Sequence, residues 1–454
     1  MRPRHLWPTL LIALAGCTPG GSEPANSSTS KGGATEKTAL TGKVGEGTIE
    51  VQAFKGGYDI DFYQAAASEY AKAHSGIKVT VDGDPKIWEK LRPRLVSGTP
   101  PDLMFPGWGL DHWALVEDGG LLQLDDALSG KPAEGDGTWR DTFEPALLKL
   151  GQQDGKQYVM PYYFNVWGMW YLPDLFAKNG WTVPKSYDDL LALCEKIKAK
   201  GIAPITFQGQ YPYYMLQGMF LPWVQDLGGM KAVDDLQNLT PGAWKSDAVL
   251  KVAAMIKELK DKGDFQQGAV GLSHTESQTA FVNGKAAMIP CGTWLQSEMA
   301  KTMPPGTKLA YFNTPAPSGS GDATAVCIDI EPWMVPAKAK NQAGAIDLFK
   351  YMTSKSVATK FVEQKGTLMA VKGSADTPKL PEVLKAPLET FKNSKATWSY
   401  QARYWYPEFE KEIEGALTAL VNGDLTPQAF GDRIEAKAEA LRKDENVKKH
   451  KLGA

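Results

Sequence analysis

The 454-residue chain has little of what metal and redox sites are built from: four cysteines and five histidines. So few ligands leave scant material for a zinc site. Its 50 basic residues are balanced by 52 acidic ones, for a formal charge of −2, and no lysine/arginine-rich run stands out. That argues against a nucleic-acid binder. No apolar stretch reaches the roughly 18–20 residues of a transmembrane helix. The motifs G-x-S-x-G, H-E-x-x-H and G-x-x-x-x-G-K-[ST] are missing as well. What remains is an ordinary globular balance, 43% hydrophobic and 22% charged. The chain exceeds the roughly 250–300 residues that one core can serve, so two lobes are expected. Tryptophan is the outlier, with 14 residues.

Residues 1–16 read as a secretory signal. Arg2 and Arg4 supply its positive end, and Leu6 to Ala15 its short apolar stretch. It closes on Leu14-Ala15-Gly16-Cys17, which resembles the lipobox of bacterial lipoproteins and implies a lipidated Cys17. In Thr18 to Gly47, 18 of 30 residues are Gly, Ser, Thr or Pro. Such a segment cannot bury enough surface to offset its ordering entropy. Residues 17–47 are therefore expected to be a lipidated cysteine and a flexible tether reaching roughly 30 Å. The expected location is the cell envelope, outside the cytoplasm, periplasmic or on the outer surface.

Beyond the tether, strands alternate with helices. Ile49 to Phe54 is β-prone. A helix carrying Phe62, Ala66, Tyr70 and Ala73 follows, capped by Asp59 or Asp61. Ile77 to Val81 and Asp102 to Phe105 read as further strands, so the first lobe should be α/β with parallel strands. Val159 to Tyr171 reads as a buried strand with Phe164, Val166 and Gly168 on one face and Asn165, Trp167 and Met169 on the other. Trp167 and Trp170 are read as core. Ser186 caps an amphipathic helix to Lys200 whose stripe includes Cys194. Strands at Ile202 to Phe207, Ala286 to Pro290 and Ala325 to Ile328 follow, with helices at 248–262, 277–283, 341–353 and 407–421. The segment beyond Arg442 is expected to fray. Strand after strand ends in a Gly/Pro break bearing Trp or Tyr. In open α/β sheets ligands bind beyond such strand ends.

Several segments resemble a family, the extracellular solute-binding proteins of carbohydrate ABC importers, to which maltose-binding protein belongs. They are Ser97-Gly98-Thr99-Pro100-Pro101-Asp102-Leu103-Met104, Gly155 to Pro161, Tyr171 to Phe176, and Phe281-Val282-Asn283-Gly284-Lys285-Ala286-Ala287-Met288 followed by Gly292-Thr293-Trp294. Pro173 stands where the family usually has lysine. Phe54-Lys55-Gly56-Gly57-Tyr58, Pro93 to Gly98, Ile289 to Gly292 and Glu331-Pro332 resemble the branch of lipoproteins that bind N-acetylglucosamine and chitobiose, whereas Phe105-Pro106-Gly107-Trp108 differs from it. The resemblance implies a two-lobed α/β periplasmic-binding-protein fold, each lobe a mainly parallel sheet flanked by helices. The ligand cleft would lie between the lobes, across a multi-strand hinge near Phe164-Asn165 and Phe312 to Pro317. Residues 48–163 plus about 315–375 would form lobe one, and 164–314 plus about 376–454 lobe two. It further implies a monomer with no cofactor and no metal. Its partners would be a carbohydrate and the membrane subunits of an ABC permease.

A pyranose offers apolar C–H faces to aromatic rings and a polar rim to amides and carboxylates. On that chemistry Trp294 leads the expected sugar contacts, and it matches the family's stacking tryptophan. Asn165 matches the position where maltose-binding protein has a glutamate. Tyr211, Tyr213, Trp108, Tyr58, Glu331 and Trp333 lie in strand-end loops, and Trp398, Arg403 and Trp405 in a late aromatic segment. Cys291 and Cys327 are each near a strand end and stand open as either a disulfide or two buried thiols. The competing reading is a secreted glycoside-active enzyme, for which Glu331 and Glu408 are the only nominable acids.

Overall fold

The computed structural model describes residues 39–107, 109–317 and 325–452. The signal segment, Cys17, the tether to residue 38, and Trp108 lie outside the described residues. Residues 41–47, read from sequence as the end of the tether, belong to the folded body. Thr41 donates its amide to Gln342 Oε1 at 3.1 Å and its hydroxyl to the Ala339 carbonyl at 2.7 Å. Strand β1 (Glu46–Phe54) already begins at Glu46.

The architecture is a two-lobed α/β fold with helices flanking the sheets and strands crossing between the lobes. The first sheet is wholly parallel, with β1 between β2 (Gly76–Asp84) and β3 (Leu103–Phe105). The helix Asp61–Ala73 crosses from β1 to β2 and buries Phe62, Tyr63, Ala66 and Tyr70. Its N-cap position is Ile60 and makes no side-chain cap bond; Asp59, at φ 57°, accepts the Ile60 amide at 2.7 Å instead. A short hairpin, β4 (Gln152–Gln153) and β5 (Lys156–Gln157), leads into the long β6 (Met160–Tyr171).

The second sheet is mixed and has seven strands. Its spine runs β12 (Thr397–Trp398), β10 (Val326–Trp333), β6, β8 (Ala286–Gly292), β7 (Ala203–Ile205). β9 (Ala310–Phe312) and β11 (Leu368–Met369) also pair with β6. β6 crosses from one lobe to the other: Tyr163 and Phe164 pair with β11, and Trp167 to Tyr171 with β8. β10 runs antiparallel beside it, so two neighbouring strands form the crossing. Near-complete burial of β6 on both faces follows from this sandwiched position.

Local signals survive folding where they are self-contained. Ser186 accepts the Asp189 amide and Asp189 accepts the Ser186 amide, the reciprocal cap that starts the helix Tyr187–Lys198. Cys194 is core, as expected. The segment beyond Arg442 does not fray. The helix Pro427–Lys443 passes into residues that dock: His450 donates its amide to the Tyr406 hydroxyl, and Leu452 to Asn238 Oδ1, both at 2.7 Å.

The possible disulfide is corrected. Cys291 and Cys327 are free buried thiols. Cys291 lies opposite Gly168 on one side of β6, and β10 carries Cys327 on the other side. The intervening strand holds them roughly two strand spacings, about 10 Å, apart, too far for a bridge.

Candidate functional site

Alternation along β6 puts Tyr163, Asn165 and Trp167 on one face, and along β10 it puts Cys327, Asp329 and Glu331 on one face. The register sets Asp329 opposite Asn165 and shifts between Ile330 and Pro332, where Tyr162 and Tyr163 of β6 stand against the single residue Glu331, so the extra residue lies on β6. Asn165 is 1% exposed and satisfied on both sides. It donates to Glu331 Oε1 at 3.0 Å and accepts from the Thr293 hydroxyl at 3.2 Å. The other Glu331 oxygen, Oε2, is buried without a partner. Trp167 donates its indole N–H to Asp329 Oδ2 at 2.6 Å, and the Ser399 hydroxyl donates to Asp329 Oδ1 at 3.2 Å.

An aromatic cluster sits over this polar floor. The Trp294 ring meets Trp167 edge-on at 4.9 Å and Tyr214 at 5.8 Å. Gly292 makes that pose possible, because a Cβ there would sit 1.9 Å from the Trp294 ring. Tyr213 lies 6.2 Å from Trp167 and carries the Arg403 guanidinium 4.2 Å over its face. Tyr404 flanks Arg403 at 5.5 Å. Tyr211 stands at the rim, 40% exposed, edge-on to His274 at 5.2 Å. From the other lobe comes Tyr58, edge-on to Tyr163 at 5.1 Å, its buried hydroxyl without a hydrogen bond.

The lobes meet here. A Cβ on Gly57 would lie 3.3 Å from Glu298 Cβ, and Ser297 donates to the Lys365 carbonyl at 2.8 Å. Burial raises the Asp329, Glu298 and Glu331 carboxyls above the usual range, and the nearby Asp329 charge adds to the rise at Glu331. Burial likewise drives the Tyr58 hydroxyl upward, with Glu331 and Glu298 contributing. Arg403 opposes the rise at Asp329 and Glu331. The floor is thus rich in hydrogen-bond acceptors, walled by rings.

Of the expected contacts, Trp294, Asn165, Tyr213, Arg403, Glu331 and Tyr58 come together, with Tyr211 at the edge. Trp333 does not. It is fully buried in the first lobe, against Tyr63 at 5.0 Å and Phe105 at 5.5 Å, where β10 has passed beyond the cluster. Trp398 pairs across from Cys327, and with Trp405 it lines a separate 820 Å³ cavity that also touches Ile328, on the face of β10 opposite Asp329. Trp167 is buried as read, but its ring and N–H belong to the cluster. Asp329 and Tyr214 were missed, whereas Tyr404 belongs to the late aromatic segment already marked in the sequence. Counting alternation from Cys327 would have paired Asp329 with Glu331. Nothing local marks Tyr214.

The two acids nominated for an enzyme do not share a site. Glu408 is exposed and ion-paired with Lys411, whereas Glu331 is buried against Asn165. Among the described residues no group of three His, Cys, Asp or Glu is placed to hold a metal.

Rings over a floor of buried hydrogen-bonding groups, where the two lobes meet, form an arrangement suited to a polar solute with apolar faces. Residues 56–359 match the family model of bacterial extracellular solute-binding proteins, and the chain belongs to that family. Its fold is that of non-catalytic binding proteins. The chain is 27% identical over 458 residues to a diacetylchitobiose binding protein of Streptomyces coelicolor, covering 97% of this chain and 94% of the relative. It is 27% identical over 279 residues to a multiple sugar-binding protein of Streptococcus mutans, covering 61% and 64%. Among solved structures, a chitin oligosaccharide binding protein superposes with TM-score 0.72 at 21% identity, covering 87% of this chain and 98% of that one. The raffinose complex of the binding protein RafE does so with TM-score 0.67 at 22% identity, covering 86% and 98%. At those identities the two structures speak to fold alone.

Proposed function

We propose that this protein captures a sugar or short oligosaccharide between its lobes and delivers it to the membrane subunits of an ABC permease. N-acetylglucosamine or its β-linked dimer, chitobiose, is the ligand favoured. The observation that carries the reading is the Trp294–Trp167–Tyr213 ring cluster over acceptor-rich Asn165, Asp329 and Glu331, with one Glu331 oxygen left unpartnered. Rings cover the C–H faces of a pyranose, and the free oxygen offers a hydrogen-bonding partner to a sugar hydroxyl. The near full-length likeness to a diacetylchitobiose binding protein supports the N-acetylated sugar. Trp108 remains a proposed contact for an outer sugar unit, whereas Trp398 and Trp405, which line the separate cavity, are not proposed to touch the sugar. In this reading Cys17 bears a lipid anchor, residues 18–40 tether the body outside the cytoplasm, and the protein acts as a monomer.

Titration calorimetry against chitobiose, N-acetylglucosamine, maltose and cellobiose tests it. Tight binding of chitobiose without maltose, lost in Trp294→Ala, is the expected result. Binding of maltose or cellobiose instead would keep the transport role and overturn the N-acetylated ligand. Silence from a folded sample would remove all four sugars.

A further inference from the structure

We infer that residues 444–452 form a strap that ties the two lobes together behind the crossing strands and holds the Ala402–Trp405 helix in place, so that Lys448 and His450 are positioning residues for Arg403. The inference rests on the ring cluster being the ligand site.

The strap touches both lobes. Toward the first lobe, Lys448 Nζ lies 3.7 Å from Glu117 and 3.6 Å from Asp154, and His450 Nε2 lies 3.3 Å from Glu117. Glu117 ends the helix His112–Glu117, which follows β3, and Asp154 is the turn of the β4–β5 hairpin. Toward the second lobe, the His450 ring stacks on Trp405 at 5.1 Å and 14°, and its amide is taken by the Tyr406 hydroxyl. Leu452 is held by Asn238. The Lys448 ion pairs and the His450–Glu117 contact, made by a ring that burial keeps neutral, thus fasten one end, and a ring stack with backbone bonds the other.

The strap lies in an interlobe groove. Cavities of 820 and 500 Å³ flank it, and both are lined by Trp113, Trp405, Lys448 and His450. The larger touches Ile328, whose strand neighbour Asp329 faces the opposite way into the ligand cluster. The groove is therefore behind β10, and the cluster is in front of it.

The route from strap to cluster is short. Trp405, which His450 covers, is two residues from Arg403 on the same four-residue helix. Arg403 reaches the cluster by lying on Tyr213. So short a helix cannot fix its own position, since most helical stability comes from packing. Just before it, Gln401 donates to the Ser399 hydroxyl at 2.9 Å, and that hydroxyl donates to Asp329. Freeing the strap should therefore loosen residues 397–406 and the Arg403 guanidinium, leaving β6 and β8 intact.

Hydrogen–deuterium exchange on the full chain reads this without any ligand. In Lys448→Ala/His450→Ala, uptake across residues 397–406 should rise about tenfold, as expected for a unit that opens locally, while uptake in β8 stays as in the parent. His450→Phe, which keeps a ring on Trp405, should restore most of the protection, a rescue that general destabilisation would not give. Should the double variant not fold, Lys448→Ala alone removes only the half-exposed ion pair and should show a smaller rise. Unchanged uptake at 397–406 overturns the strap. Affinity for whichever of the four sugars binds the parent should drop about 2- to 30-fold, the range for coupling through packed networks. Raised uptake with unchanged affinity overturns the positioning role. If the parent binds none of the sugars and uptake still rises, the strap stands and the sugar assignment falls.

Discussion

The indole N–H of Trp167 donates to the Asp329 carboxylate at 2.6 Å, joining the two strands that cross between the lobes. Both side chains are within 1% of full burial. One contact therefore positions a ring of the ligand cluster and occupies an oxygen of a buried acid. Trp167→Phe keeps an aromatic ring, though a smaller one, and deletes the donor. The expected cost is about 2–4 kcal/mol of stability, from the lost donor and the space the indole leaves. Urea unfolding measures it, and a loss under about 0.5 kcal/mol would mean that the remaining partners of Asp329 satisfy it.

Gly292→Ala tests how tightly the Trp294 pose is held. The new Cβ would fall 1.9 Å from the indole, so the ring must leave its place against Trp167. Sugar affinity should drop by about 2 kcal/mol or more, as for the loss of a binding anchor. Calorimetry paired with tryptophan fluorescence checks both affinity and ring displacement. Parent-like affinity would remove Trp294 from the site.

Closure can be blocked separately. Gly57 packs against Glu298 across the cleft, where even an alanine Cβ would meet Glu298 Cβ at 3.3 Å. Gly57→Val should hold the lobes apart, weakening ligand binding about tenfold or more by shifting the population away from the closed form. Small-angle scattering should show a larger radius of gyration with sugar present than the liganded parent has.

A pH dependence follows from Glu410. Burial raises its carboxyl to about 7, against opposition from Arg403. An unfolded glutamate titrates near 4.3. Between these values the folded state holds a proton that the unfolded state releases. This group therefore makes stability fall as pH rises from about 4.5 to 7, with the full cost present above 7. Glu410→Gln retains an acceptor for the Tyr400 hydroxyl, which donates to Glu410 at 2.8 Å. The variant should gain on the order of 3–4 kcal/mol at pH 8 and little at pH 4. Denaturation midpoints at the two pH values decide, and equal gains at both would refute the titration.

Cys291 and Cys327 should behave as inert thiols. Burial pushes both well above the usual thiol range, and the strand between them prevents pairing. Neither should react with a thiol reagent until the protein is denatured. A mass shift of two hydrogens on reduction, mapped to these residues, would contradict the arrangement of strands.

Much of the frame was legible along the chain because its causes are local. Apolar, β-prone runs identified β1, β6 and β8, and the Ser186–Asp189 cap started its helix where hydrogen-bond chemistry requires. The ring-bearing breaks after strands pointed to Trp294 and Tyr213. Fates that depend on what covers a residue were not legible. Trp333 and Glu331 are two residues apart, yet one packs the first lobe and the other faces Asn165, because β10 crosses from one lobe to the other between them. The cysteines are kept apart by a strand more than a hundred residues away in sequence. The charged segment after Arg442 looks solvated by composition but finds Trp405, Glu117 and Asn238 through the fold.

The sequence by itself determined the elements, the two-lobed plan and the aromatic loops, since periodicity, caps and turn residues act over a few neighbours. Tertiary structure alone decided which rings share a surface, which acid lies beneath them and what closes the rear groove. Those outcomes depend on strand register and on burial by distant segments, and neither leaves a local mark.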